Sequence, residues 1–135
     1  AVPRSVRARR RMPGLVRRVR VKVDPPFETE RWPLSYLMDV IYTRDTWMHR
    51  GDISRATRRD VALTPEHDGR IVADVVAEWA RRHGQPFALE LTGPAGGTYV
   101  AGEGGEHVHL DAVEFCRIVS GRAQGAGLLT TAVPY

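Results

Sequence analysis

Apolar residues recur every three or four positions between 34 and 57 and again between 71 and 79, then alternate with polar ones beyond residue 86. The first two patterns predict amphipathic helices and the third predicts short strands. In the longer helix Pro33 suits the first turn, where no backbone donor is needed, and the pattern runs from about Leu34 to Thr57. At about 100° per residue, Leu34, Leu37, Met38, Ile41, Asp45, Met48, His49, Asp52 and Ala56 gather within about 60° of one line. That line is the predicted buried face, and it carries three ionisable groups, Asp45, His49 and Asp52. Burying such groups costs several kcal/mol unless they are paired or ligate something.

Thr64-Pro65-Glu66 supplies a cap and a first-turn proline for the second helix, whose stripe of Ile71, Val72, Val75, Val76 and Trp79 stops at Gly84. Phe87 to Leu91, Thr98 to Val100 and His107 to Leu110 read as antiparallel strands separated by glycine-rich turns. Asp111, with Glu114 three residues on, is a capping-box variant that opens a helix through about Ser120, closed by Gly121. Leu128 to Val133 is predicted to add an edge strand. Upstream, Ser5 is the candidate cap for a helix over 6–20 that Pro13-Gly14 interrupts. Asp24-Pro25-Pro26 marks Val21 to Thr29 as a linker, because two donors are lost and the residue before proline avoids the helix. The predicted fold class is α+β, with a helical segment over 1–60 and a small antiparallel sheet with packed helices over 61–135.

A chain of 135 residues with 42% hydrophobic and 27% charged residues is long enough and apolar enough for a buried core. No stretch approaches the roughly 18 uninterrupted apolar residues of a membrane span. Cys116 is the one cysteine and lies in the apolar run Val113, Phe115, Ile118, Val119, so a small buried thiol and a reducing, cytoplasmic location are expected. The net charge of +4 hides an asymmetry: residues 1–22 hold nine basic groups and no acid, while the remaining basic residues are outnumbered by the 16 acids. The arginines of this arm could neutralise phosphates. Yet the sequence has no base-reading helix, no aromatic nucleic-acid-binding strand and no zinc finger, so a nucleic-acid partner is not expected. The alternative is a helix whose Arg9, Arg10, Arg17 and Arg18 face solvent while Val6, Leu15, Val16 and Val19 pack inward.

The strongest chemical signal is Asp45-x-x-x-His49. Residues four apart stack on one helix face and can share a divalent ion, although an ordinary ion pair has the same spacing. His107 and His109 fall on one side of a strand, where they could pair on a metal or form an exposed polar face.

The run Trp32-Pro33-Leu34 to Thr57, with Tyr42-Thr43-Arg44-Asp45-Thr46-Trp47-Met48-His49-Arg50-Gly51-Asp52-Ile53 at its centre, resembles the last helix of the DinB-like four-helix bundle in mycothiol-dependent maleylpyruvate isomerase relatives. Asp68-Gly69-Arg70, Trp79-Ala80-Arg81-Arg82-His83-Gly84, Leu91-Thr92-Gly93-Pro94-Ala95-Gly96-Gly97 and Leu110-Asp111-Ala112-Val113-Glu114-Phe115-Cys116-Arg117 resemble the small sterol-carrier-like α+β domain that follows it. The resemblance implies a partial bundle over 1–60 and the sterol-carrier-like domain over 61–135. It also implies Asp45 and His49 as ligands of a divalent metal, most often zinc, with Asp52 as the partner of His49. Asp45 stands where the family more often has Glu, one methylene longer. A His from an earlier helix completes the family's site, and residues 1–44 contain no His and no Cys. The expected object is therefore an N-terminally truncated relative with an incomplete site.

In that family the metal activates the thiol of mycothiol for addition to an unsaturated substrate. The resemblance thus implies mycothiol as cofactor, a small anionic or thiol-conjugated substrate, and Arg117 as the arginine that contacts it. Without its neighbouring helices, the stripe of Leu37, Ile41 and Met48 is expected to be open and to drive a homodimer. The alternative function is a non-catalytic small-ligand or protein-binding module of sterol-carrier-like fold.

Overall fold

The computed structural model describes residues 3–135. The fold is α+β, with two small sheets. It divides into two compact units, one of residues up to Thr46 with Tyr135, the other Trp47–Pro134. The division falls within the long helix, upstream of the 60/61 boundary read from sequence.

The first unit opens with α1 (Arg4–Arg10) and α2 (Gly14–Arg17). Pro13 interrupts the helical run as expected, but Pro3 and not Ser5 occupies the cap of α1, and no side chain caps it. The segment read as a linker closes into an antiparallel pair, β1 (Arg20–Lys22) with β2 (Arg31–Pro33), in which Val21 faces Trp32. Between them the chain turns through Phe27 N–H donating to Asp24 O at 3.1 Å and Glu30 N–H donating to Phe27 O at 2.8 Å. Trp32 anchors this pair: its ring lies 5.7 Å from Phe27 and 5.4 Å from Tyr36, and its indole N–H reaches Glu30 Oε2 at 2.8 Å.

Pro33 then caps α3 (Leu34–Tyr36), which widens into a π turn (Leu37–Ile41) and continues as α4 (Tyr42–Thr57). Arg58 stops it in a left-handed conformation, φ 54°. The expected long helix is present, with an interruption that the sequence did not announce.

In the second unit Thr64 caps a π turn (Pro65–Gly69) through its hydroxyl, which accepts from His67 N–H at 3.3 Å, and α5 (Arg70–His83) follows. Gly84 ends it at φ 63°, its N–H on Ala80 O at 3.0 Å, the left-handed stop expected there. The strands are β3 (Phe87–Thr92), β4 (Gly97–Ala101) and β5 (Glu106–Asp111), in the order β4-β3-β5. β3 and β4 pair antiparallel, Leu89 opposite Tyr99, as expected. β5, however, pairs with β3 in parallel, Leu89 opposite Val108, which corrects the all-antiparallel expectation. The cause is the four-residue link 102–105, which carries the chain past the start of β3 to its other edge. It crosses so closely that a Cβ on Gly105 would stand 2.0 Å from Pro86 O.

Asp111 caps α6 (Ala112–Val119), accepting from Val113 N–H at 2.8 Å and Glu114 N–H at 3.1 Å. The tail forms a 3₁₀ turn (Gly127–Thr130) instead of the expected edge strand, tied by Trp79 Nε1–H to Leu128 O at 3.0 Å and by Val133 N–H to Val119 O at 2.8 Å. The core lies between α5, α6 and one face of the sheet. Trp79 is fully buried at its centre, edge-on to Phe87 and Phe115 at 4.9 and 5.4 Å, and Leu89, Leu91, Cys116 and Val119 surround them. Among the described residues no helix is long and apolar enough to cross a membrane.

Candidate functional site

α4 carries Asp45, His49 and Asp52, but not on its most buried face. The buried residues are Ile41, Arg44, Trp47 and Met48, whereas the His49 side chain is 59% exposed and Asp45 and Asp52 are half-buried. The π turn explains the correction: it breaks the constant step per residue, so Leu34 and Leu37 do not report which way the side chains beyond Ile41 point. Of the stripe expected to be open, Ile41 and Met48 are buried and Leu37 is half-buried. The exposed apolar side chains of this helix are Tyr42 and Ile53.

What the fold does bring together is a cluster around Asp52. Three residues on from His49, its Oδ2 lies 3.6 Å from His49 Nδ1. From α6, Arg117 Nη1 lies 3.7 Å from Asp52 Oδ1. Arg122 Nε–H donates to Asp52 Oδ2 at 3.3 Å. The end of α6 sets up this second arginine. Gly121 takes φ 80°, and Gly121 N–H to Ile118 O (2.9 Å) with Arg122 N–H to Arg117 O (2.8 Å) close a glycine-terminated helix end. That turn returns Arg122 alongside Arg117, whose Nη2–H donates to Arg122 O at 3.3 Å.

Arg117 is held firmly for a charged side chain, at 16% exposure. Its Nε lies 3.2 Å from Glu114 Oε2 without the alignment of a hydrogen bond, so one buried N–H is not fully satisfied. Beside it opens a groove of about 180 Å³, lined by Met48, Asp52, Arg55, Val113, Glu114 and Arg117 among others. Asp52 was expected as a partner only through the resemblance, and its place three residues beyond His49 brings the two side chains together. Arg122 was not read as a site residue, and the only signal for it is its place directly after the Gly121 stop.

A second carboxylate, Asp68, has a structural part. Trp47 Nε1–H donates to its Oδ1 at 2.7 Å, Arg50 Nη1 at 3.2 Å, and Thr64 N–H to its Oδ2 at 2.7 Å, with His67 Nδ1 3.4 Å away. Burial pushes its pKa up, but the hydrogen bonds from Thr64, Trp47 and His67 and the Arg50 charge outweigh that, so the carboxyl titrates below its ordinary range.

His107 and His109 lie exposed on β5, and His109 Nε2 is 3.8 Å from Glu90 Oε1 on the neighbouring strand. In the basic arm Arg10 and Arg18 are exposed as expected, but the other positions depart from the expectation. Leu15 is 81% exposed and Val6, Val16 and Val19 are also open, whereas Arg9 and Arg17 turn to Asp39, Arg9 Nε–H at 2.8 Å from its Oδ1 and Arg17 on its Oδ2. Among the described residues no group of three His, Cys, Asp or Glu gathers around one point. Against known proteins, the chain matches no protein-family model, no curated protein and no solved structure.

Proposed function

We propose that this chain carries the metal-ligating helix and the small α+β domain of a mycothiol-dependent, divalent-metal isomerase or thiol transferase of the maleylpyruvate isomerase family. The observation that carries the reading is the position of Asp52, whose carboxylate reaches both His49 and Arg117, the two residues that the resemblance singles out from distant parts of the chain. A histidine whose Nδ1 faces a carboxylate is oriented to ligate through Nε2. The Asp45 carboxylate and the His49 imidazole are donors that zinc accepts and fit two positions of a four-coordinate ion. An ion bound there would act as a Lewis acid toward the mycothiol sulfur, favouring the thiolate. The chain's own residues then divide the remaining work. Asp52 holds the imidazole ring, and Arg117, steadied by Glu114 and by Arg122 O, offers its guanidinium to a small anionic or thiol-conjugated substrate.

Zinc titration by calorimetry tests this reading. The wild-type chain is expected to bind zinc, His49→Ala and Asp45→Asn to lose binding, and Asp52→Asn to weaken it by about tenfold. If His49→Ala titrates like wild type, the ligand assignment is wrong.

The groove beside Arg117 favours a second reading, a non-catalytic small-ligand module of sterol-carrier-like fold. It predicts stabilisation by an acyl or thiol ligand that is the same in wild type and in His49→Ala.

A further inference from the structure

We propose that α1 and α2 form a docking surface for an acidic phospholipid membrane, with arginines on the headgroup phosphates and Leu15, Val16 and Val19 entering the interface. Every residue concerned lies upstream of Asp45, so the surface is independent of the proposed metal chemistry.

One anchor fixes which way both helices face. Arg9 from α1 and Arg17 from α2 converge on Asp39 in the π turn Leu37–Ile41, and Val19 O accepts from Leu34 N–H at 2.8 Å. At about 100° per residue, Arg4, Arg7 and Arg11 stand roughly opposite Arg9, and Leu15 stands roughly opposite Arg17. The side of each helix turned away from the anchor is therefore cationic in α1 and apolar in α2. Leu15 is 81% exposed, Val19 54% and Val16 41%. Around them Arg4, Arg10, Arg11, Arg18, Arg20 and Lys22 are exposed and make no hydrogen bond or ion pair among the described residues.

The balance of charge favours an anion. Residues 1–22 hold nine basic groups and no acid. A cavity of about 420 Å³ beside the anchor is lined by Val6, Arg9, Arg10, Arg17 and Asp39, so three guanidiniums face one carboxylate there. A phosphate entering it would meet Arg10 directly and share the other two with Asp39.

The exposed aliphatic side chains decide which polyanion fits. A nucleic acid offers phosphates but leaves Leu15, Val16 and Val19 in water. A bilayer accepts both kinds of side chain: guanidiniums settle at the phosphates, their stems lie along apolar neighbours, and the aliphatic groups enter the boundary between headgroups and acyl chains.

The full chain is mixed with vesicles of phosphatidylcholine and phosphatidylglycerol in equal parts, and with vesicles of phosphatidylcholine alone, and binding is read by sedimentation. It is expected to bind the acidic vesicles and not the neutral ones, and to bind more weakly as salt rises. Arg10→Gln combined with Arg18→Gln is expected to weaken binding by about twentyfold, since each arginine near such a surface contributes about fivefold. Leu15→Ser is expected to weaken it by about tenfold through the lost aliphatic burial. Val100→Ser, at a position 67% exposed in the second unit, is expected to bind as wild type does. No binding to acidic vesicles, equal binding to neutral ones, undiminished binding by Leu15→Ser, or an equal loss in Val100→Ser would each overturn the proposal. So would a duplex RNA that binds as tightly as the acidic vesicles at equal phosphate and is indifferent to Leu15→Ser, because the arm would then be reading phosphate alone.

Discussion

Asp68 shows what a single buried charge does in this chain. At 3% side-chain exposure its carboxylate survives only because donors from three directions meet it: the indole of Trp47, the guanidinium of Arg50 and the backbone of Thr64. Asp68→Ala leaves those donors facing an empty space and is expected to cost about 3 kcal/mol in urea unfolding, whereas Trp47→Phe, which removes one of them, costs about 1 kcal/mol through its hydrogen bond. The pH dependence has a definite sign. The folded pKa is depressed below the ordinary 3.8, so the contribution is complete above that value and is lost as pH falls through the folded pKa. Wild type should therefore lose stability more steeply below pH 3.8 than Asp68→Ala does, and equal slopes would show that Asp68 is not the group responsible. Asp52 differs in what the sequence discloses about it. Its pairing with His49 follows from local spacing, but its hydrogen bond from Arg122 spans 70 residues and is fixed by the turn at Gly121, which no helix periodicity encodes.

At the scale of elements, glycines separate the legible from the illegible. Gly51 inside α4 has nothing within 4 Å of a notional Cβ, so Gly51→Ala is expected to raise stability by about 1 kcal/mol through helix propensity alone. Gly105 is the opposite case. Its Cβ would meet Pro86 O at 2.0 Å, so Gly105→Ala must force the crossing strand away from β3 and is expected to cost more than about 2 kcal/mol. Thermal unfolding of the two variants should therefore show shifts of opposite sign. The glycine-rich stretch after β4 was readable as a turn, but a turn that returns on the same edge and one that passes beneath the neighbouring strand have the same composition. That ambiguity is why β3 to β5 were found and the pairing of β5 was not. The caps at Thr64, Gly84 and Asp111 were readable because they act through bonds to residues two to four away, whereas Ser5 was expected to cap α1 and Pro3 holds that position. The β1–β2 pair was not readable, since its strands are three residues each and two prolines in the intervening turn mask them as a linker.

The two units of the molecule differ in how much they bury. The second encloses Trp79, Phe87, Leu89, Phe115, Cys116 and Val119, whereas neither α1 nor α2 contains a buried residue, and Arg9 and Arg17 tie them to Asp39. Those pairs are about one-third exposed, so solvent and salt screen them and they contribute about 1 kcal/mol at most. Amide exchange reports such differences directly, because a segment held by little exchanges through local opening while a core strand waits for the whole unit to open. The amides of β3, hydrogen-bonded on both sides between β4 and β5, should be the slowest in the chain, and those of α1 and α2 should exchange close to the unprotected rate. Asp39→Asn separates the two units further: it should speed exchange in α1 and α2 by no more than about fivefold, the equivalent of about 1 kcal/mol, and leave β3 unchanged. If Asp39→Asn also speeds β3, the units do not open independently, and the stability of the Trp79 core depends on the arginine arm.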